Sequence, residues 1–292
     1  MTVATSASAL PSRRAYHDHI IDELIAERAP RLTSQPAWPL VRPLVYAALH
    51  YAKARRMADA IGPLPGRAGL DHVSRRLDLR VTARGLAHVP RQGRAVIVCN
   101  HPTGIADGIA VFDALKDLRP DLCFYANSDA HRVSPGLADM LIPVEWVEAK
   151  RTRQRTRVTL ALTREAMEAG RPLVIFPAGR LARRTPAGDL RDPPWAPSAL
   201  SLARRYAAPI VPVHLAGPWS TLFHLFDRFS GELRDITLFH ELLNKRGGAF
   251  TLTVGAPIDP QRLDPDAATA TLALKAYVEE VLPVDPDRAF PC

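Results

Sequence analysis

A chain of 292 residues, 47% of them hydrophobic and 23% charged, is long enough to bury a large core, which argues against global disorder. Its formal net charge of +8 favours anionic partners, such as acidic lipids, phosphorylated or coenzyme A-type substrates, or nucleic acid. The three cysteines form no CxxC pair, so neither a disulfide framework nor a zinc site is indicated and a reducing compartment is favoured.

The N-terminal part of the chain is predicted to be a tail followed by helices. Residues 1–12 read as a disordered tail, and no apolar core follows the basic residues of this region, so a secretory signal is not expected. Helices are predicted over residues 15–28 and from Trp38 to the Pro/Gly cluster at residues 62–66. That cluster divides an N-terminal helical segment, residues 13–66, from a main domain, residues 67–292.

The second of these helices raises the question of membrane contact. Its sequence is broken by Arg42 and Pro43 and becomes basic from Lys53 onward, so no apolar run of about 18 residues exists to span a bilayer. A helix lying in the membrane interface fits the apolar residues, the basic flank and Trp38. A helix packed on the main domain fits equally well, and both interpretations stay open.

From Leu77 onward, short runs rich in Val, Ile and Leu alternate with helical patterns. The helices are expected over residues 107–118, 155–169, 198–206 and 266–282. Nearly continuous apolar strands separated by helices indicate an α/β fold with a largely parallel sheet covered on both faces. The predicted strands read LDLRVTARG, AVIVCN, LCFYAN, LIPVEWV, PLVIFPAG, PIVPVHLAG, ITLFH and FTLTVG.

A histidine and an aspartate flank the turn that follows the second predicted strand. His101 lies just beyond residues 95–99, at the edge where open α/β sheets bind ligands. Asp107 falls in the first turn of the next helix, where the helix dipole favours a carboxylate. Asp107 could hold the imidazole in one tautomer while the other ring nitrogen faces a substrate proton. A chance pairing of a loop histidine with a helix-start aspartate fits the same residues.

The stretch NHPTGIADG, residues 100–108, resembles the NHxxxxD signature of the glycerophospholipid (lysophospholipid) acyltransferase family. It is most similar to the NHPxGxxDG branch, found among hemolysin-like and ornithine-lipid-type acyltransferases. Three further blocks follow in the family's order: IFPAG at 175–179, PIVPV at 209–213 and TVGAPI at 253–258. The resemblance covers roughly residues 80–282.

This resemblance implies O-acyl transfer, like that of 1-acylglycerol-3-phosphate acyltransferases, in membrane lipid biosynthesis. The acyl donor would be acyl-CoA or acyl-carrier protein, the acceptor a lysolipid hydroxyl, and neither a metal nor a further cofactor is implied. His101 would act as the base and Asp107 as its orienting acid. The implied substrate contacts are Asn100, Thr103, Gly104, Lys150, Arg151, Pro177, Ala178, Gly179 and Arg180.

The expected partners and location follow from the same resemblance and from the charge. An anionic membrane surface is the expected partner, with a peripheral location on its cytoplasmic face and no transmembrane helix. Nucleic-acid binding is not expected, because no DNA- or RNA-binding motif accompanies the basic charge. A noncatalytic lipid-binding protein of the same fold is the alternative function.

Two departures from the family's pattern bear on the substrate. Five residues rather than four separate His101 from Asp107, and Ala106 stands where the usual spacing would place the acid. The extra residue is absorbed in the turn at residues 102–104, as in the NHPxGxxDG branch. Ala178 stands where a glutamate is usual in a block that contacts the acceptor's glycerol phosphate, which argues against a lysophosphatidate acceptor but not against acyl transfer.

Other candidate residues have ordinary structural interpretations. Arg183 and Arg184 are read as a solvated basic loop, and Cys99 as a small buried residue rather than a nucleophile. The aromatic side chains of Trp195, Trp219 and Phe223 fit either an acyl groove or the core. A structural or surface role is predicted for three histidines, His214, His224 and His240.

Overall fold

The computed structural model of the protein describes residues 19–145, 152–185 and 188–291, so the predicted tail lies outside it. Its main strands are β1 (Arg80–Arg84), β2 (Ala95–Cys99), β3 (Cys123–Asn127), β4 (Leu141–Val144), β5 (Pro172–Ile175), β8 (Ile210–Ala216) and β9 (Ala249–Val254). A small hairpin of β6 (Arg183–Arg184) and β7 (Leu190–Arg191) lies outside the sheet. The sheet order is β1-β9-β8-β2-β5-β3-β4, with all neighbours parallel except β8 and β9.

Helices precede the sheet and connect its strands. They are α1 (Ile20–Arg28), α2 (Pro30–Thr33), α3 (Trp38–Ala48), α4 (Tyr51–Ile61), α5 (Gly66–Leu77), α6 (Ile105–Leu115), α7 (Asp129–Val133), α8 (Arg153–Glu168), α9 (Ser198–Arg205), α10 (Thr221–Phe229), α11 (Gly231–Ile236), α12 (Leu238–Leu243) and α13 (Ala267–Ala276). Short 3₁₀ turns cover Leu86–His88 and Pro135–Asp139, and a π-helical turn covers Tyr277–Val281.

The central strand β2 is buried on both faces, as its continuous apolar sequence predicts. Ile97 and Cys99 belong to the cluster beneath α5 and α6, whereas Val96 and Val98 belong to the cluster beneath α8, α9 and α13. The predicted α/β fold with a mostly parallel sheet between helical layers is therefore confirmed. The same arrangement brings the residue after β2 to the carboxyl edge of the sheet.

The predicted single helix from Trp38 to the Pro/Gly cluster is wrong, because α3 and α4 are separate. His50 adopts a left-handed backbone conformation with φ 54°, which ends α3, and its ring stacks on that of His240 at 5.0 Å. Helix α4 buries Met57 and packs on α5 and α12, whereas α3 buries none of its residues. In particular, Leu40 and Leu44 of α3 are exposed.

The run ITLFH, residues 236–240, is not the strand that its apolar residues predicted. It forms the end of α11 and the start of α12. Ile236, Phe239 and Leu243 recur at helical spacing and pack towards the N-terminal helices and the core. A short apolar run does not by itself distinguish a strand from a buried helix, and here the longer period decides the outcome.

Membrane-spanning segments were sought throughout the described ranges. In residues 19–145, 152–185 and 188–291, none of the helices combines the length and the apolarity needed to cross a bilayer.

Candidate active site

The NHPTG and IFPAG blocks meet at one edge of the sheet. Strands β2 and β5 are parallel neighbours, so the loops that follow them leave from the same side. The two loops are also joined directly, since the N–H of Ala182 donates to the carbonyl of His101 at 2.9 Å. The topology thus places the predicted base beside the predicted acceptor-binding block.

The imidazole of His101 and the carboxylate of Asp107 are in contact. The distance between Nδ1 and Oδ2 is 2.8 Å, with the histidine side chain 17% exposed and the aspartate fully buried. Oδ2 also accepts the backbone N–H groups of Thr103 at 2.9 Å and Gly104 at 3.0 Å. Oδ1 accepts the Thr103 hydroxyl at 2.5 Å. Three donors besides the imidazole hold this carboxylate, which in turn fixes the ring through Nδ1 and leaves Nε2 as the nitrogen that Asp107 does not engage.

Gly104 is what allows the extra residue between His101 and Asp107. Its φ of 103° is a conformation that residues with a Cβ rarely adopt, and a Cβ there would meet Cδ2 of Leu181 at 3.1 Å. Gly104 is the N-cap of α6, and Asp107 occupies the third helical position, from which its side chain accepts the cap's N–H. The turn therefore aims Asp107, and not the buried Ala106, at the imidazole.

The ring of Phe176, the residue that follows β5, packs against the imidazole of His101. Its centroid lies 4.5 Å from that of the His101 imidazole, with the planes inclined by 33°. Phe176 is itself buried. The imidazole is thus held by a hydrogen bond in its plane and by an aromatic ring across it.

A second buried carboxylate, absent from the sequence-based prediction, holds the main chain of His101. Asp192 accepts the His101 N–H at 3.0 and 3.1 Å on its two oxygens, and Oδ2 also accepts the Trp195 indole N–H at 2.8 Å. The N–H of Asp192 donates to Oε1 of Glu279 at 2.7 Å. Burial raises the pKa of Asp192 to about 6. Asp192 stands in the run RDPPW, which has neither periodicity nor a motif that would have singled it out.

Asn100, a predicted substrate contact, is engaged by β8. Its amide donates to the carbonyl of Leu215 at 2.9 Å and accepts the N–H of Leu215 at 2.6 Å. It is 6% exposed. This pairing fixes the start of the loop that carries His101, so the structure gives Asn100 a positioning contact.

The IFPAG block presents mainly backbone to the site. Pro177 is buried and its carbonyl accepts the N–H of Ala196 at 3.0 Å, while Ala178 packs at the margin of the core. Gly179 has a φ of 61° and donates its N–H to the carbonyl of Phe176. Arg180 extends into solvent. The two other predicted basic contacts, Lys150 and Arg151, lie outside the described residues.

The prediction of a solvated basic loop is wrong for Arg183. Its guanidinium lies 5.1 Å above the ring of Phe223, its Nε is 3.5 Å from Asp227, and burial lowers its pKa. Arg184 remains exposed and stacks on Trp219 at 4.1 Å. The hairpin after IFPAG is thus anchored to α10 next to the site.

The remaining reactive side chains have structural surroundings. Cys99 is fully buried, and burial raises its thiol pKa well above the ordinary value, which disfavours a thiolate nucleophile. His214 contacts the carbonyl of Val278 through Nδ1 at 2.9 Å. Within the described part of the chain, His, Cys, Asp and Glu form no group of three suited to a metal ion.

Comparison with known proteins identifies similar enzymes. The family described as Acyltransferase matches residues 80–216, which include His101, Asp107 and Asp192. Lyso-glycine lipid O-acyltransferases of Phocaeicola vulgatus and Bacteroides thetaiotaomicron are 27% and 26% identical over 212 residues, or 70% of this chain and 73% and 75% of theirs. The crystal structure of the 1-acyl-sn-glycerophosphate acyltransferase PlsC from Thermotoga maritima has a TM-score of 0.46 and 14% identity, covering 87% of this chain and 94% of that one.

Proposed function

We propose that this protein, which is similar to acyltransferases over residues 80–216, transfers a fatty acyl group from a thioester to a lysolipid hydroxyl, with His101 as the general base. The observation that carries this proposal is the 2.8 Å contact between Nδ1 of His101 and the buried carboxylate of Asp107. The assembled pair favours catalysis over the alternative of a noncatalytic lipid-binding protein.

The reaction follows from the orientation of the imidazole. Nδ1–H donates to Asp107, so Nε2 accepts the proton of the acceptor hydroxyl as its oxygen attacks the thioester carbonyl. Asp107 stabilises the resulting imidazolium. When the tetrahedral intermediate collapses, the carbon–sulfur bond breaks, the ester forms, and the imidazolium returns its proton to the departing thiolate. No metal or cofactor takes part in this sequence, and acyl-CoA or acyl-carrier protein is the co-substrate.

The developing oxyanion needs donors near His101. The N–H groups of Thr103 and Gly104 bind Asp107, and that of Gly179 binds a carbonyl, so none of these three is available. The N–H of Ile105 in the first turn of α6 is our candidate, because Ile105 is exposed and a helix N-terminus combines backbone donors with a favourable dipole.

The acceptor is proposed to be a lysolipid with an anionic amino-acid headgroup, by analogy with the lyso-glycine lipid O-acyltransferases. Arg180 is exposed in the loop after β5, two residues before Ala182, which bonds to His101, and a guanidinium binds a carboxylate or a phosphate through two parallel hydrogen bonds. The IFPAG block has Ala178 where the acyltransferases that it resembles have a glutamate next to a glycerol phosphate acceptor. Thr103 and Gly104 are buried and their N–H groups bind Asp107, so we propose that they support the loop, whereas Lys150 and Arg151 remain proposed substrate contacts.

Peripheral binding to the cytoplasmic face of an anionic membrane is proposed for delivery of the lipid acceptor. Helix α3 exposes Leu40, Val41 and Leu44 on an element that buries none of its residues, and Arg42 lies among them. An apolar stripe flanked by basic residues suits the boundary between headgroups and acyl chains. Because phospholipid synthesis takes place on membranes, this placement is consistent with a role in membrane lipid biosynthesis.

The proposal is tested by acylation assays with purified protein. Acyl-CoA or acyl-carrier protein is supplied with lyso-amino-acid lipids, lysophosphatidate and other lysophospholipids, and products are measured by mass spectrometry. His101→Ala should lower kcat by roughly 10²–10⁴-fold, the usual contribution of a general base, while His72→Ala on α5 serves as the matched control. Equal product from His101→Ala and wild type would overturn the mechanism. Absence of any product across donors and acceptors would overturn the assigned activity.

Arg180→Ala separates acceptor binding from chemistry. It should raise KM for the anionic acceptor at least tenfold, as expected when a charge-assisted contact is lost, and leave KM for the acyl donor unchanged. Arg91→Ala is the control, because Arg91 is exposed but precedes β2 and so lies at the opposite edge of the sheet. An unchanged acceptor KM in Arg180→Ala would remove Arg180 from the headgroup site.

A further inference from the structure

We propose that Asp192 is a positioning residue for His101, acting on the main chain as Asp107 acts on the ring; the inference rests on the proposed function. Within residues 101–104, the backbone N–H groups of His101, Thr103 and Gly104 all donate to carboxylates, and Pro102 has none to donate. Two buried carboxylates therefore fix the whole loop. Asp192 alone holds the peptide N–H from which the base extends.

Asp192 is itself rigidly held. It is 6% exposed, and the indole of Trp195 donates to the oxygen that also receives the His101 N–H. Its own N–H is bound by Glu279, which lies in the π-helical turn after α13 and forms an ion pair with Lys275. The indole holds the carboxylate and Glu279 holds the main chain of the same residue, so Asp192 locates its partner more closely than a mobile surface residue would.

The charge of Asp192 also acts on the imidazole. The groups that interact with it electrostatically are His101, which attracts it, Glu279, which repels it, and Cys99, whose buried thiol stays neutral. Arg191, its neighbour in the chain, is paired with Glu280. An ionised Asp192 therefore supports the imidazolium that forms when His101 takes the acceptor's proton, and a neutral side chain of the same shape does not.

Asp192→Asn tests this role because it keeps the shape and removes the charge. At pH 8 we expect kcat to fall roughly tenfold to a hundredfold with KM for both substrates unchanged, since the base is misplaced and less supported rather than the substrates unbound. The ratio of wild-type to variant kcat should shrink below pH 6, where protonation neutralises Asp192 in the wild type as well. Asp189→Asn, an exposed acid of the same hairpin, is the matched control.

A second measurement does not depend on activity. In protein labelled with ¹⁵N-tryptophan, the indole N–H signal of Trp195, identified by its loss in Trp195→Phe, should titrate with a midpoint near pH 6 in the wild type and in Asp189→Asn, because the indole donates to Asp192 and does not itself titrate. The titration should be lost in Asp192→Asn. An indole signal that titrates unchanged in Asp192→Asn, or a variant with wild-type kcat at every pH, would overturn the proposal. An inactive wild type whose indole signal titrates as expected would instead refute the acyltransferase mechanism alone.

Discussion

The hydroxyl of Thr103 donates to Oδ1 of Asp107 at 2.5 Å, whereas Oδ2 receives the imidazole and two backbone N–H groups. The orientation of the carboxylate therefore depends on this one side chain at Oδ1. Because Thr103 is 2% exposed, water has little access to replace it.

Thr103→Val should lower kcat about tenfold and destabilise the protein by about 1–3 kcal/mol, since a buried carboxylate oxygen loses its partner. Thr103→Ser should restore most of both losses by returning the hydroxyl. Steady-state kinetics and urea unfolding measure the two effects, with Thr82→Val on an exposed face of β1 as the control. A valine variant indistinguishable from wild type would mean that Oδ1 does not need this donor.

Gly104→Ala should impair both folding and catalysis. The φ of 103° strains an alanine by about 1–3 kcal/mol, and its Cβ would press on Leu181 at 3.1 Å, displacing the turn that aims Asp107. Gly93→Ala provides the comparison, because Gly93 has a φ of 78° with nothing within 4 Å of the added Cβ. Both variants should lower the thermal midpoint, but only Gly104→Ala should lower kcat in the folded protein.

The sequence predicted the elements that build the site but not its supports. The apolar run at β2 and the helical pattern after it place His101 and Asp107 correctly, because strand and helix periods are local properties. Asp192 comes 91 residues after His101 and meets it only through the packing of a hairpin. No local pattern encodes such a contact, so only the structure could reveal it.

Contacts between residues distant in sequence also explain the helix and the strand that were predicted incorrectly. The run at residues 236–240 has the apolar content of a strand, and its helical state depends on contacts with N-terminal helices distant in sequence. The break between α3 and α4 falls at His50, whose left-handed conformation coincides with its stacking on His240. Neither partner is a sequence neighbour, so propensity alone does not decide these cases.

Asp192 should make stability fall as pH rises through the mildly acidic range. Burial raises its pKa from 3.8 to about 6, so the folded state retains a proton that the unfolded chain has released. Its contribution is therefore full below pH 4 and lost as pH rises past 6. Urea unfolding at pH 4.5, 5.5 and 6.5 gives the free energy of unfolding of the wild type and of Asp192→Asn. The wild-type value minus the variant value should decrease from pH 4.5 to pH 6.5. A constant or increasing difference would contradict the raised pKa.

Arg119 should matter for stability and not for chemistry. Only 2% exposed, it donates to Asp121 and to the carbonyls of Gly93 and Gly170, and so fastens together the segments that precede β2 and β5. Arg119→Lys loses the planar fork and leaves acceptors unpaired, at a cost of about 2–4 kcal/mol by denaturant unfolding. The kcat of the folded variant should be unchanged. Arg91→Lys, exposed nearby, should have no effect on either quantity.

Helix α3 should provide most of the affinity for membranes. Leu40 and Leu44 are 81% and 73% exposed, so changing both to serine removes apolar surface without disturbing the core. Because burial of one leucine side chain is worth about 1.5–3 kcal/mol, binding to vesicles containing phosphatidylglycerol should fall at least tenfold. Leu272→Ser on α13 is the matched control at 70% exposure, since α13 covers the opposite face of the sheet.

The activity of the Leu40/Leu44 double variant should also depend on how the acceptor is supplied. Leu40→Ser combined with Leu44→Ser should slow acylation of a lysolipid embedded in vesicles, while acylation of the same lysolipid dispersed in detergent should match the wild type. The reason is that α3 contributes no residue to the site around His101 and acts only on delivery of the acceptor. Vesicle sedimentation and activity identical to those of Leu272→Ser would exclude α3 as the membrane-binding element.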